Sequence, residues 1–239
     1  GGSGIHEFKE WSFESYQRYF RPVDSVLQQF GFTHLIASHC DECAMLNLDV
    51  LISDTLSQQW VDQPYLFKRY AISYALSARS YVSSYSSSVS SIPTPIGITI
   101  GKYENRSDLR FSKKLVGMLE VNYEIERTDA LKNLENSCIA LLLSHADGSM
   151  NQRKGQLVIT DDYSLTVDEI FKLKLNNELV LVTACNTNSS TSYKGEGAVG
   201  NFTKALRYAG SKSTITTSWE IDEKTNAFFL TQYIGHLSS

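Results

Sequence analysis

The chain has 239 residues, 42% hydrophobic and 20% charged, enough to bury one large core or two small ones. Its formal charge of −4 is spread along the chain without a basic stripe, which argues against direct contact with nucleic acid. No apolar run reaches bilayer length and no charged segment leads into a short apolar one, so a soluble, cytoplasmic protein with no membrane association is expected.

Residues 1–4 read as a linker or tag scar. Residues 12–30 carry Phe13, Tyr16, Phe20, Val23, Val26, Leu27 and Phe30 at helical spacing, with Pro22 expected to break or kink the run. The apolar segments 34–38 and 48–52 flank a polar Asp41-Glu42 turn and predict a strand pair. His39-Cys40-Asp41-Glu42-Cys43 holds one CxxC, but no second ligand pair follows at finger-like spacing, so no metal or other cofactor is expected. The four cysteines, Cys40, Cys43, Cys138 and Cys185, are expected as reduced thiols.

Residues 71–76 predict a further strand. The serine-rich stretch 77–91, closed by Pro93 and Pro95, marks a boundary between a first lobe, 5–95, and a second, 96–239. The second lobe alternates strands (96–101, 122–126) with helices (113–119, 129–134), the grammar of a parallel α/β sheet. Residues 139–143 and 179–182 are continuously apolar, as strands buried on both faces are, and belong at the centre. Residues 164–175 can supply the helix that crosses between them, and 202–208, 214–219 and 226–236 follow as helix, strand and helix.

The two central strands end at Ser144-His145-Ala146 and Thr183-Ala184-Cys185, so a histidine and a cysteine both stand at the carboxyl edge, where α/β proteins bind ligands. A thiol needs thiolate character to attack a carbonyl, and an imidazole supplies it by taking the proton. The backbone N–H groups of Ala146 and Cys185 are candidate donors to the oxyanion that develops. The loop that follows, with Gly195, Gly197 and Gly200, is polar enough to border a substrate groove. A lone strand-end cysteine or histidine is more often a packing residue, so placement alone leaves a structural role open.

Residues 142–146, 166–175, 181–187, 195–200, 209–210 and 217–222 resemble the CHAT family in order and spacing, and residues 35–36, 48–51, 65–67 and 71–77 resemble its non-catalytic half. That resemblance implies a caspase-like (clan CD) three-layer α/β/α sandwich with a mostly parallel central sheet, preceded by a smaller degenerate lobe. It implies a cysteine endopeptidase acting on a protein substrate, with Cys185 as nucleophile, His145 as its proton-transfer partner, and the N–H groups of Ala146 and Cys185 as the oxyanion hole. Family members are often attached to TPR repeats and occur in bacterial antiviral and CRISPR-associated systems. A regulatory TPR or sensor module, on another segment or another chain, is therefore an expected partner. In caspase relatives the strand carrying Trp219 lines the pocket for the residue before the scissile bond. Glu220 and Asp222 follow it, and a carboxylate facing the pocket would favour a basic residue there. Alternatively, both are solvated residues at a strand end and a helix start. The sequence departs from the family pattern at Asn186, where an acidic residue is common. The functional alternatives are a catalytically silent scaffold of the same fold and an α/β amidohydrolase.

Overall fold

The computed structural model describes residues 3–38, 46–57, 59–84, 96–121, 123–127, 129–147, 156–184, 202–217 and 221–237. It divides into two compact units, residues 1–86 and 87–239. Among the described residues no helix is long and apolar enough to cross a membrane.

The first unit opens with a helical run: α1 (Ser3–Ser15), a π-helical turn (Tyr16–Phe20) and α2 (Arg21–Phe30). The predicted break at Pro22 is taken up by this turn. The Arg21 N–H reaches back to the Tyr16 carbonyl, so a new α segment starts with Pro22 in its first turn, where a missing N–H costs nothing. The run stops at Gly31, whose φ of 69° is the left-handed conformation a glycine adopts freely, and the Phe32 N–H bonds the Leu27 carbonyl at 3.0 Å. Tyr16 and Phe20 pack with Leu51, Leu66 and Tyr70 in the unit's core.

Asp24 is buried at the edge of that core. It accepts from Tyr16 Oη at 2.6 Å, from Arg69 Nη1 at 2.7 Å, and from Tyr70 Oη. Burial raises its pKa, but hydrogen bonds from Gln28, Tyr16, Tyr70 and Arg69 outweigh that and hold the carboxyl below its ordinary value. Tyr16 is pushed up to about 12, by burial first and then by its bond to Asp24.

The expected pairing of 34–38 with 48–52 does not form. Strand β1 (His34–Ala37) pairs in parallel with β2 (Ala71–Tyr74), in the register Leu35↔Ile72. Residues Leu48–Val50 instead make a 3-10 turn, because the Asn47 side chain accepts the Asp49 N–H and curls the chain. Their hydrophobicity reflects burial rather than a ladder: Leu51 and Ile52 are fully buried, and Ile52 makes a single bridge to Tyr65. The serine-rich stretch begins with a short helix, α3 (Ala78–Ser84). The CxxC segment lies outside the described residues.

The second unit is built on five parallel strands: β3 (Ile96–Ile100), β4 (Ile125–Arg127), β5 (Ile139–Leu143), β9 (Leu179–Thr183) and β10 (Thr214–Thr216). They lie in the order β10-β9-β5-β3-β4. The two continuously apolar segments pair with each other, Leu141↔Leu181, and every residue of both is buried. Alternate side chains feed two separate cores. Ala140, Leu142, Val180 and Val182 pack with α5 (Ala130–Asn136), α6 (Val167–Ile170) and α7 (Phe202–Ala209). Leu141, Leu143 and Leu181 pack with α4 (Arg110–Leu119) and α8 (Glu223–Leu237). Helices therefore cover both faces, which makes the unit a three-layer α/β/α sandwich.

From β3 the chain moves outward to β4, then returns across β3 to β5 and continues to β9 and β10. Right-handed crossovers running in opposite directions put their helices on opposite faces, so α4 sits on one side and α5, α6 and α7 on the other. The switch in direction lies between β3 and β5.

Between β5 and β9 the structure differs from the expected long crossover helix. Residues Ser164–Thr166 are a strand, and α6 is a single turn. Thr166 sets its start with a capping box: its hydroxyl accepts the Glu169 N–H and the Glu169 carboxylate accepts the Thr166 N–H. Strands β6 (His145–Asp147), β7 (Gln156–Val158) and β8 (Ser164–Thr166) form a small antiparallel sheet.

Candidate active site at the carboxyl edge of the sheet

The loops leaving β3 and β5 part at the switch in chain direction, and such a crevice is where open α/β sheets bind ligands. His145 stands there, two residues beyond Leu143, as the first residue of β6 opposite Val158. Leu143 pairs with Thr183, so Cys185 is also two residues beyond the last paired rung. Neighbouring strands are about 4.8 Å apart, and the last paired rung, Leu143↔Thr183, brings the chain to the same level on both strands just before these positions. Cys185 itself lies outside the described residues, as do Trp219 and Glu220.

The imidazole is held by two residues, Ser107 and Tyr103. Its Nε2 lies 3.0 Å from the Ser107 carbonyl oxygen and 3.4 Å from Ser107 Oγ. A carbonyl only accepts, so Nε2 carries the proton of the neutral ring and Nδ1 is left with the lone pair. The Tyr103 ring lies against the imidazole, with centroids 4.9 Å apart. Tyr103 Oη accepts the His145 backbone N–H at 3.0 Å and donates to the Val158 carbonyl. Ser144 adds to the same junction: its hydroxyl donates to the Val158 carbonyl at 2.6 Å, and its N–H reaches the Thr183 carbonyl on β9 at 3.2 Å.

The loop carrying Tyr103 and Ser107 follows β3 and is fastened to the turn between β7 and β8. The Lys102 N–H bonds the Ile159 carbonyl at 2.9 Å. The Glu104 and Asn105 N–H groups both donate to Asp161 Oδ2, at 2.6 and 3.3 Å. Strand β7 and its turn thus grip both the histidine and the loop that orients it. On the β9 side, Thr217 Oγ1 donates to the carbonyl of Ala184, the residue before Cys185.

Of the other predicted site residues, Ala146 is the second residue of β6, opposite Leu157. Asp222 caps α8: its Oδ1 accepts from the Thr225 N–H at 3.0 Å and the Thr225 hydroxyl at 3.2 Å. The backbone bond from Thr225, chiefly, holds its carboxyl below the usual range. Sequence reasoning missed Tyr103, Ser107 and Asp161. Ser107 contributes a main-chain oxygen, which has no signature in side-chain identity. Tyr103 had one available signal, an aromatic residue just past the end of a central strand. Among the described residues no three His, Cys, Asp or Glu side chains converge in a way that could hold a metal ion.

A parallel sheet covered by helices on both faces, with an oriented histidine at its carboxyl edge, defines a three-layer α/β protein with its candidate site at the strand ends. The model of the CHAT domain matches residues 14–239, and the chain belongs to the CHAT-domain family. No curated protein matches it.

Proposed function

We propose that this chain is a cysteine endopeptidase in which Cys185 is the nucleophile and His145 the proton carrier. The observation that carries the reading is the paired register Leu143↔Thr183, followed on each strand two residues later by His145 and Cys185. The Cys185 thiol passes its proton to His145 Nδ1, and the thiolate attacks the scissile carbonyl carbon. The backbone N–H groups of Ala146 and Cys185 donate to the resulting oxyanion. The imidazolium then protonates the departing amine as the C–N bond breaks, leaving a thioester. Water attacks that ester with His145 as base, releasing the acid and the free thiol. The Ser107 carbonyl keeps the imidazole in the tautomer this sequence needs, in the place a carboxylate takes in a Ser-His-Asp triad.

The pocket for the residue before the scissile bond is assigned to Trp219 and Glu220. Of the two carboxylates that follow Trp219, Asp222 has one oxygen engaged in capping α8, as the alternative of a helix-start residue expects, which favours Glu220 as the selective charge. Release of activity by a TPR or sensor module in a defence setting completes the reading. The test is incubation with a peptidyl chloromethyl ketone followed by intact mass and peptide mapping. Labelling is expected at Cys185, absent in Cys185→Ala and slowed about 100-fold or more in His145→Ala. Equal labelling of the wild type and His145→Ala would defeat the proposal.

A further inference from the structure

We infer that Asp161 is a positioning residue for His145, acting through the loop that bears Ser107; the catalytic consequence rests on the peptidase reading above. Asp161 is exposed in the turn between β7 and β8, away from the imidazole, and its Oδ2 accepts both the Glu104 and the Asn105 N–H. Two consecutive amides on one carboxylate oxygen fix the path of the loop just before Ser107. The Ser107 carbonyl then meets Nε2 at 3.0 Å. The other end of the loop is fixed by the Lys102 N–H on Ile159 and by Tyr103 Oη on Val158. Residues 102–105 are thus fastened to 158–161 at four points, and the same strand β7 pairs with His145. Asp161 is the one side-chain acceptor among those fastenings that lies on the hairpin, since the others there are main-chain carbonyls.

Without the carboxylate the loop loses both amide contacts, and the Ser107 carbonyl is no longer held against Nε2. The imidazole then samples both neutral tautomers, and in one of them Nδ1 carries a proton and cannot accept that of a thiol. The role is distinct from capping or packing, because among the described residues the Asp161 carboxylate bonds two loop amides that belong to no helix.

The test compares wild type with Asp161→Ala, Asp161→Asn and the neighbouring control Asp162→Ala. Nitrogen-15 NMR of the His145 ring, assigned with His145→Gln, reads the tautomer at a pH where the ring is neutral. Alkylation of Cys185 by iodoacetamide at neutral pH, read by peptide mapping, gives the functional effect. Wild type, Asp161→Asn and Asp162→Ala are expected to show a protonated Nε2. Asp161→Ala is expected to show averaged ring nitrogens and Cys185 alkylation about tenfold slower, while its far-UV circular dichroism shows the chain still folded. Asparagine retains the accepting oxygen, so rescue by it separates positioning from charge. An unchanged His145 spectrum in Asp161→Ala overturns the inference. Averaged nitrogens in Asp161→Ala, combined with wild-type Cys185 reacting as an ordinary thiol, uphold the positioning role and reject the peptidase reading.

Discussion

Gly101 and Tyr103 should show strong energetic coupling, which a double-mutant cycle will measure. A Cβ at position 101 would overlap Tyr103 Oη and Cζ and lie 2.9 Å from Cε2, so Gly101→Ala must expel the phenol from its place over His145. Expulsion breaks the bonds from Tyr103 Oη to Val158 and from the His145 N–H to Tyr103 Oη, at about 1 kcal/mol each. Displacing the ring and straining its neighbours adds about 1–2 kcal/mol, for a total near 3 kcal/mol. In a Tyr103→Ala background the obstacle is gone. Gly101 does not have a positive φ, so alanine there is tolerated and stabilises by about 0.5 kcal/mol through the unfolded chain. Urea denaturation followed by far-UV circular dichroism, on the four proteins of the cycle, should give a coupling of about 3 kcal/mol. Additive effects would mean that the glycine is not there to admit the tyrosine, and the account of how the histidine is held would fail with it.

Gly97→Ala should destabilise the second unit by about 3 kcal/mol, because the new methyl would overlap Ser137 Oγ and Asn133 Oδ1. Asn133 cannot easily yield, since its Nδ2 bonds Thr99 Oγ1 at 3.0 Å and the Leu141 carbonyl at 3.1 Å; a stability unchanged in thermal melts would refute this. Asp24→Ala strands Tyr16, Tyr70 and Arg69 and should cost the first unit about 3 kcal/mol in urea denaturation, whereas a loss under about 1 kcal/mol would show the cluster to be dispensable. The Asp24 carboxyl is depressed in the folded chain, so its stabilisation is present above the unfolded carboxylate value near pH ~3.9 and is lost as the pH falls through the lower folded value. An acid titration of stability should therefore fall less steeply below pH ~4 in Asp24→Asn than in the wild type.

Much of the fold could be read from sequence because the central strands announce themselves. Residues 139–143 and 179–182 are apolar on both faces, and only a strand covered by helices on both sides needs that. Pairing in the first unit was not legible in the same way. Residues 48–52 have a strand's composition, but the local Asn47 contact curls them, and β1 finds its partner in β2, beyond residue 70. The segment 164–175 has helical spacing throughout, yet three of its residues are claimed by the ladder with β7 before the Thr166 capping box starts a turn. Three-residue strands carry too few positions for a period-2 pattern to stand out. In the site itself, His145 was legible from its place after a buried strand. Its supports were not, because Ser107 acts through the main chain and Asp161 acts on two amides far away in sequence.

The use of a main-chain oxygen to orient His145 changes which mutations the site can feel. Every amino acid brings the same carbonyl, so a substitution at position 107 gives up only the longer 3.4 Å hydroxyl contact and keeps the 3.0 Å acceptor that orients the imidazole. What must be kept is the count of residues between Gly101 and Ser107, since inserting or deleting one would move a different carbonyl, or none, to the ring. Selection at this edge of the sheet should therefore act on loop length more than on loop letters, and a scan of substitutions at 107 would pass over a contact that a single-residue deletion exposes at once.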